Sequence, residues 1–360
     1  MMDSSVTYSN NLGFSLGKIG TAALRLLPPE VSHDIGLWLM EKGIFNLMPA
    51  PQIVSGYDGF NITVPGIGSL AHPIGLAAGF DKNCRVPVAF RKMGLSFIEI
   101  GTVTPMPQSG NPKPRMFRYP EYQAIINRMG FNSDGIDLVL KRLSKLNWNH
   151  CEVPLGLNVG KNKITSEQLA LEDFSLGLEA FSELSQWMVV NLSSPNTPGL
   201  RNLASVDFLT QMASRHRQLL PKIWIKLDPD MSKRKLQELI HAITDLGYQG
   251  VILSNTHKVN WPQVGGQSGH PLSSLSTRSL EWAWDVHKGS LPMVASGGVM
   301  SGLDVFQRLA RGALAVQIYA ALVYRGPWVV LEMLAELKAE MELLGISSVQ
   351  DIVGLHYKDS

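Results

Sequence analysis

Asn191, Ser194 and Asn196 fall within one short stretch, Trp-Met-Val-Val-Asn191-Leu-Ser-Ser194-Pro-Asn196-Thr-Pro-Gly-Leu-Arg. An apolar run ends there in hydroxyls and carboxamides stiffened by two prolines. Buried hydroxyls and carboxamides cost free energy unless something hydrogen-bonds to them, so a strand with this ending presents a polar floor to a ligand. Taken alone, the stretch reads equally well as a proline-rich surface turn capped by Asn and Ser. Recurrence decides between the two. In chain order, apolar runs end at Gly79 with Lys82, at Thr102, Asn158, Asn191, Lys226, Ser254-Asn255-Thr256, Gly297-Gly298 and Tyr319. Every ending is polar or is a glycine that lets a ligand approach the backbone, and two of the endings bring a lysine.

The elements that must position these residues are short β-branched runs: 73–79, 97–103, 154–160, 187–193, 223–228, 250–256, 293–299 and 314–320. Helix-compatible segments lie between them, among them 167–184, 205–219, 232–247, 275–288 and 301–311. Near-continuous apolar strands alternating with helices predict a parallel sheet covered on its faces. Eight such units predict an α/β fold of the (β/α)8 TIM-barrel type, with a doubly wound open sheet as the alternative. A barrel of this kind carries its active site at the C-terminal strand ends, where the polar residues fall. Ser296-Gly297-Gly298 and Gln317-Ile-Tyr319-Ala320 follow the seventh and eighth strands, the usual place of a phosphate cradle. No G-x-G-x-x-G follows a first strand, so a Rossmann nicotinamide site is not expected. A phosphate-anchored cofactor across the barrel mouth is.

The composition sets limits on the rest. The chain has 360 residues, 45% hydrophobic and 17% charged, enough for one large domain and a small appendage. A net charge of +2 and no basic run interleaved with aromatics argue against nucleic acid. The two cysteines, Cys84 and Cys151, have no metal-ligand spacing, and neither a structural disulfide nor a metal is expected. No apolar run reaches the ~18–20 residues of a membrane span, and the N-terminus lacks the pattern of a signal peptide.

Several long motifs carry a resemblance: GLAAGFDKN (75–83), IEIGTVTPMPQSGNPKPRMFR (98–118), INRMGFN (126–132), LNVGKNK (157–163), VVNLSSPNTPGLR (189–201) and SNT (254–256), with the two phosphate loops. Over residues 20–340 the chain resembles the class 2 dihydroorotate dehydrogenases, membrane-associated, quinone-reducing flavoenzymes of pyrimidine synthesis. The resemblance implies one FMN, its phosphate on the backbone of Gly297-Gly298 and Tyr319-Ala320. It implies further cofactor contacts from Ala78, Gly79, Phe80, Asp81, Lys82, Thr102, Asn158, Asn191, Lys226, Ser254 and Gly269. Lys226 would then sit where negative charge accumulates on the reduced ring.

The substrate so implied, dihydroorotate, is a cyclic diamide with one carboxylate, oxidised to orotate. Carboxamides match its donors and acceptors. By resemblance Asn127, Asn191, Asn196 and Asn255 line its site with Thr256, and the 128–131 segment (Arg128, Met129, Gly130, Phe131) folds over it. Lys82 would meet the carboxylate. Ser194 would be the base, at a position where the related soluble classes carry cysteine. Serine serves as a base only in a site closed to water with a relay for the proton.

The N-terminal region reads as two helices, 12–27 and 30–48, broken by Pro28-Pro29. Val31, Ile35, Trp38 and Leu39 form an apolar stripe on the second, widened by Leu37, Met40, Ile44, Phe45 and Leu47. That fits a hairpin at the membrane interface admitting a quinone, or an ordinary packed helix pair. Resemblance places His33, Arg118 and Tyr319 at the quinone head group. The expected organisation is a membrane and quinone-access region at 1–50, the FMN barrel at 51–345 and a tail at 346–360. The expected location is peripheral, on the cytoplasmic face of a bacterial inner membrane, with the mitochondrial inner membrane as alternative.

Four positions depart from the family pattern: Asp228, His257, Gln267 and Ala320. Asp228 lies two residues past Lys226, on the same side of an ideal strand, where its charge would weaken that lysine. Three rival readings differ from the quinone enzyme. A fumarate- or NAD-linked relative would carry cysteine at 194, a phosphate-binding barrel would lack flavin, and a non-catalytic membrane paralogue would lack turnover.

Overall fold

The computed structural model describes residues 11–43, 58–146 and 153–358. Two helices come first, α1 (Asn11–Arg25) and α2 (Pro29–Glu41). An antiparallel hairpin of β1 (Ile62–Val64) and β2 (Gly68–Leu70) leads into β3 (Ile74–Leu76). There follow α3 (Pro87–Lys92), β4 (Ile98–Val103), β5 (Met116–Tyr119), β6 (Ala124–Asn127), α4 (Ile136–Leu143), β7 (Leu155–Val159), α5 (Ala170–Phe181) and β8 (Trp187–Asn191). Then come α6 (Val206–Arg215), β9 (Ile223–Leu227), α7 (Lys233–Leu246), β10 (Gly250–Leu253), β11 (His257–Val259) and β12 (Gly265–Gly269). The chain finishes with α8 (Ser273–His287), β13 (Met293–Ser296), α9 (Gly302–Ala310), β14 (Ala315–Ile318), α10 (Ala320–Arg325), α11 (Val329–Leu343) and α12 (Val349–Ile352).

Strands β3, β4, β7, β8, β9, β10, β13 and β14 close into one parallel barrel in that order, which excludes the open sheet. Their residues are buried throughout, as strands covered on both faces require. The intervening helices start where serine can cap them. Ser205, Ser232 and Ser301 accept the N–H of Phe208, Lys235 and Asp304.

The barrel interior is layered. At the bottom, the rings of Phe97, Trp187 and Trp224 lie 6.1 and 6.2 Å apart between successive centroids. Gly75, Gly156 and Gly250 make room for them, because a Cβ on each would come within 2.2–2.5 Å of one of those rings. Above the rings, side chains from non-adjacent strands meet across the centre: Glu99 on β4, Lys226 on β9 and Gln317 on β14. The register then sets Gly101 beside Asn158 and Asn191 beside Lys226 at the top.

A four-stranded antiparallel sheet, ordered β11-β12-β6-β5, stands beside the mouth. The sequence reading did not include it. β12 is Gly-Gly-Gln-Ser-Gly, a composition that looks like a loop, and it becomes a strand because β6 and β11 pair with it. The C-terminal tail, without signal in the sequence, folds back. Val349 and Ile352 are buried, and Tyr357 stacks on Trp284 at 4.7 Å.

At the N-terminus, α2 is fastened at both ends. Glu30 pairs with Arg115 (2.8 Å) and Lys113 (3.2 Å), and Glu41 takes two hydrogen bonds of 2.7 Å from Arg85. α1 is held by Trp328, whose Nε1 donates to Gly13 O at 2.7 Å. The second helix ends at Glu41 rather than 48, turned off at Gly43 with φ +69. Ile44, Phe45, Leu47 and Cys151 lie outside the described residues. The apolar stripe also divides: Val31 and Trp38 face outward, whereas Leu37 is buried. Among the described residues no helix is long and apolar enough to cross a membrane.

Candidate active site

The strand ends enclose a cavity of about 1040 Å³, its open mouth included. Its lining brings together Ala78, Gly79, Lys82, Thr102, Asn191, Lys226, Ser254, Gly269, Gly298, Tyr319 and Ala320 of the expected cofactor set. Asn127, Met129, Gly130, Phe131, Asn196, Asn255 and Thr256 of the expected substrate set line it too, with Ser194, the expected base.

The floor is one hydrogen-bonded chain. Asn191 Nδ2 donates to Thr102 Oγ1 at 2.9 Å, and Thr102 Oγ1 donates to Asn158 Oδ1 at 2.5 Å. Asn158 Nδ2 donates to Glu99 Oε1 at 2.5 Å. Both oxygens of Glu99 also accept from Lys226 Nζ at 3.2 Å, and Gln317 Nε2 donates to Oε2. Glu99 and Lys226 are therefore a buried ion pair whose remaining hydrogen-bonding capacity is filled by amides, the condition that makes such a pair tolerable. Sequence reasoning missed Glu99, because a carboxylate in Ile-Glu-Ile reads as one polar residue in a strand.

Among the described residues Asp228 makes no ion pair with Lys226. Its carboxylate accepts from Asp230 N at 2.9 Å and lies 3.5 Å from Arg201 Nη1. Burial pushes its pKa up, and Arg201 opposes the rise. Arg201 also bonds Asp230 (2.7 Å), Ser193 O (3.1 Å) and Thr256 O (3.1 Å). It thus ties the loop after β8, which carries Ser194, to the loop after β10, which carries Asn255 and Thr256. His257 Nδ1 meets Asp230 as well, and Gln267 faces His257 across the β11–β12 pair. Asp228 thus reaches Arg201 directly and His257 reaches it through Asp230, while Gln267 lies opposite His257.

Ser194 is buried at the cavity wall, and its Oγ accepts the Asn196 N–H at 3.2 Å. Asn196 Nδ2 reaches Asn127 O and Oδ1 at 3.1 and 3.3 Å. Thr197 Oγ1 is buried with no hydrogen-bond partner among the described residues. Lys82 Nζ donates to Asn132 Oδ1 at 2.9 Å. No carboxylate lies within 4 Å of Lys82 among the described residues. Burial first and Arg115 second push its pKa down to about 7.

Four residues of the expected contact sets are not among those lining this cavity. The Arg128 guanidinium turns away, bonding Pro114 O and lying 5.1 Å from the Phe117 ring centre. Asp81 spends its carboxylate on the N–H groups of Asn83, Arg85 and Val86, which turn the chain into α3. Asn158 supports the floor from below rather than lining the cavity. Phe80 belongs to a second cavity.

That second cavity, about 1050 Å³ with its mouth, lies between the N-terminal helices and the barrel. Leu16, Leu24, Leu39, Met40, Phe80, Met93, Leu322 and Val323 make it largely apolar, with His33, Arg25 and Arg118 as its basic groups. Tyr319 and Met116 line both cavities and so form the wall between them. The His33, Phe80 and Tyr319 rings follow one another at 5.1 and 5.4 Å. Burial, then the cations Lys82 and Arg85, push His33 down to about 4, so it is neutral near pH 7. Arg118 Nη2 is held by Leu27 O at 2.7 Å.

At the far side of the mouth, Gly297 (φ +95) and Gly298 (φ +73) adopt left-handed conformations. A Cβ on Gly298 would strike Ser273 Cα at 2.4 Å. A Cβ on Gly79 (φ +97) would meet only the Tyr319 ring at 3.7 Å, so the space above that backbone is open to a ligand. Among the described residues, no group of three or more His, Cys, Asp or Glu is arranged to hold a metal.

Known proteins resemble this chain in sequence and fold. The family model for dihydroorotate dehydrogenase matches residues 61–341. A Deinococcus radiodurans protein, dihydroorotate dehydrogenase (quinone), is 41% identical over 81% of this chain and 83% of its own length. The mitochondrial dihydroorotate dehydrogenase (quinone) of Mus musculus is 36% identical over 94% of this chain and 89% of its own. Among solved structures, Eimeria tenella dihydroorotate dehydrogenase in complex with ferulenol superposes with a TM-score of 0.84 at 35% identity, covering 92% of this chain and 96% of that one.

Proposed function

The chain belongs to the dihydroorotate dehydrogenase family, and from that premise we propose how it oxidises dihydroorotate to orotate and delivers the electrons to a quinone. The observation that carries the reading is the pair of cavities sharing Tyr319 and Met116: one polar and fitted with a buried serine, the other largely apolar under the N-terminal helices. FMN is the proposed resident flavin. Two features fit it: the left-handed Gly297-Gly298 turn suits a phosphate, and the open backbone at Gly79 suits a planar ring. Bound FMN supplies a hydride acceptor and onward electron transfer to the quinone.

The side chains divide the remaining work. Lys82, a cation without a carboxylate partner among the described residues, takes the substrate carboxylate. Asn127, Asn191, Asn196 and Asn255 orient the ring amides, and the Asn196 carboxamide oxygen has no partner among the described residues. Ser194 Oγ receives the proton from the ring carbon beside the carbonyl, and the Asn196 N–H steadies the oxygen as charge develops on it. The serine's own proton has to leave. The Thr197 hydroxyl, buried without a partner among the described residues, is where an ordered water would receive it. Lys226, held by Glu99 and Gln317, presents its charge to the flavin from the floor. Arg128, Phe80 and Asp81 take no direct part through their side chains.

The exposed apolar residues Ile19, Leu26, Val31 and Trp38 on the helical hairpin support peripheral attachment to a quinone-bearing inner membrane. Residues 1–50 thus serve as the quinone-access region of the barrel at 51–345, with His33, Arg118 and Tyr319 at the acceptor. Steady-state oxidation of dihydroorotate with a soluble quinone tests the assignment, in the full chain and after deletion of residues 1–48. Loss of quinone turnover on deletion, with dihydroorotate still reducing the flavin, is expected. Unchanged quinone turnover would overturn the role of the hairpin, and no dihydroorotate-dependent flavin reduction in the full chain would overturn the whole reading.

A further inference from the structure

We propose that Arg308 is a positioning residue for the flavin phosphate: a buried guanidinium behind the Gly297-Gly298 turn whose counter-charge is the phosphate on the other side. The inference rests on the phosphate placement given under Proposed function.

Arg308 projects from α9 and is fully buried. Nη2 donates to Ser273 O and Oγ at 3.0 Å and lies 3.5 Å from Gly297 O, the outer limit of a hydrogen bond. Nη1 donates to Thr277 Oγ1, and Nε has no partner among the described residues. No carboxylate lies within 4 Å of it among those residues. Asp304 is occupied by Met300 N and Ser301 Oγ, and Glu281 by Arg311 at 2.7 Å. The guanidinium thus has neutral acceptors but no carboxylate in contact, and an anion from outside the chain would supply the missing counter-charge. Burial lowers its pKa to about 10, which leaves it charged at neutral pH.

The backbone shows where that anion would sit. The Gly297 carbonyl faces the guanidinium, and in a trans peptide the following N–H points the opposite way. The Gly298 N–H is therefore directed away from Arg308, and Gly298 lines the active-site cavity. Ser273, which Arg308 grips, is the residue against which Gly298 is packed. A single guanidinium thus fixes both backbone segments at the back of the cradle. It also adds a positive field through the peptide in a site of low dielectric.

Titrating the full-length, flavin-stripped chain with FMN and with riboflavin separates this role from mere bracing, because only FMN carries the phosphate. In Arg308→Gln, FMN affinity is expected to fall tenfold or more while riboflavin affinity stays within twofold. Arg308→Lys should restore most of the FMN preference. If Arg308→Gln does not fold, Arg308→Met provides the neutral comparison. Equal losses for both flavins, or no loss for either, would overturn the proposal. A wild-type chain that binds FMN no better than riboflavin would instead overturn the phosphate placement itself, and the proposal with it.

Discussion

Replacing Glu99 by Gln removes one charge from the barrel interior while keeping its volume and one acceptor oxygen. Lys226 Nζ then loses a carboxylate whose oxygens both lie at 3.2 Å, and it remains buried. With an effective dielectric constant of about 20, opposite charges at that separation attract by roughly 5 kcal/mol. Loss of the carboxylate also removes its desolvation penalty, and Gln317 Oε1 stays 3.3 Å from the ammonium. The expected net loss is therefore about 3 kcal/mol, the low end for breaking a buried pair. In a chain of this size that corresponds to a fall in melting temperature on the order of 5 °C. The unpaired ammonium also favours the more negative, reduced flavin, raising its two-electron potential by tens of millivolts at about 30 mV per 1.4 kcal/mol. Calorimetry and a dye-equilibrated potential titration read both effects in one preparation. A melting temperature within about 1 °C of wild type together with an unmoved potential would refute the role given to the Glu99–Lys226 pair.

Other perturbations probe separate parts of the site. Lys82, with its pKa pushed down to about 7, is neutral in the free enzyme above that pH, so a carboxylate must bind together with a proton. KM for dihydroorotate should rise by up to about tenfold per pH unit above 7, and Lys82→Met should raise it at pH 6 and flatten the profile. The same lowered pKa means that the unfolded chain holds more protons between pH 7 and 10.5, so this group's contribution makes stability rise with pH across that window. Arg201→Ala releases Ser193 O and Thr256 O, and kcat should drop about a hundredfold while the flavin spectrum stays unchanged. Parallel loss of flavin in that variant would show that the arginine supports the fold rather than the Ser194 loop.

The barrel was legible because its strands are buried on both faces and leave an uninterrupted apolar signature, as at Met188 to Val190. The polar residues at strand ends were legible for the same reason, since each interrupts such a run at a fixed place. What escaped depends on distant partners. Glu99 gains its meaning from Lys226 and Gln317, which are far away in sequence and meet it only across the closed barrel. Asp228 lies near Lys226 in sequence, but its partner is Arg201, brought in by the loop after β8. The Gly-rich β12 is held as a strand by its neighbours, and α2 stops at Glu41 because Gly43 takes a left-handed turn that the apolar pattern beyond it conceals.

In the proposed reaction Ser194 removes the proton while the flavin takes the hydride. Anaerobic mixing of the flavin-loaded enzyme with dihydroorotate, followed by loss of flavin absorbance, measures that step in a single turnover. Ser194→Ala should retain flavin and substrate binding but reduce the flavin at least about a hundredfold more slowly. Reduction of the Ser194→Ala flavin at the wild-type rate would contradict the account.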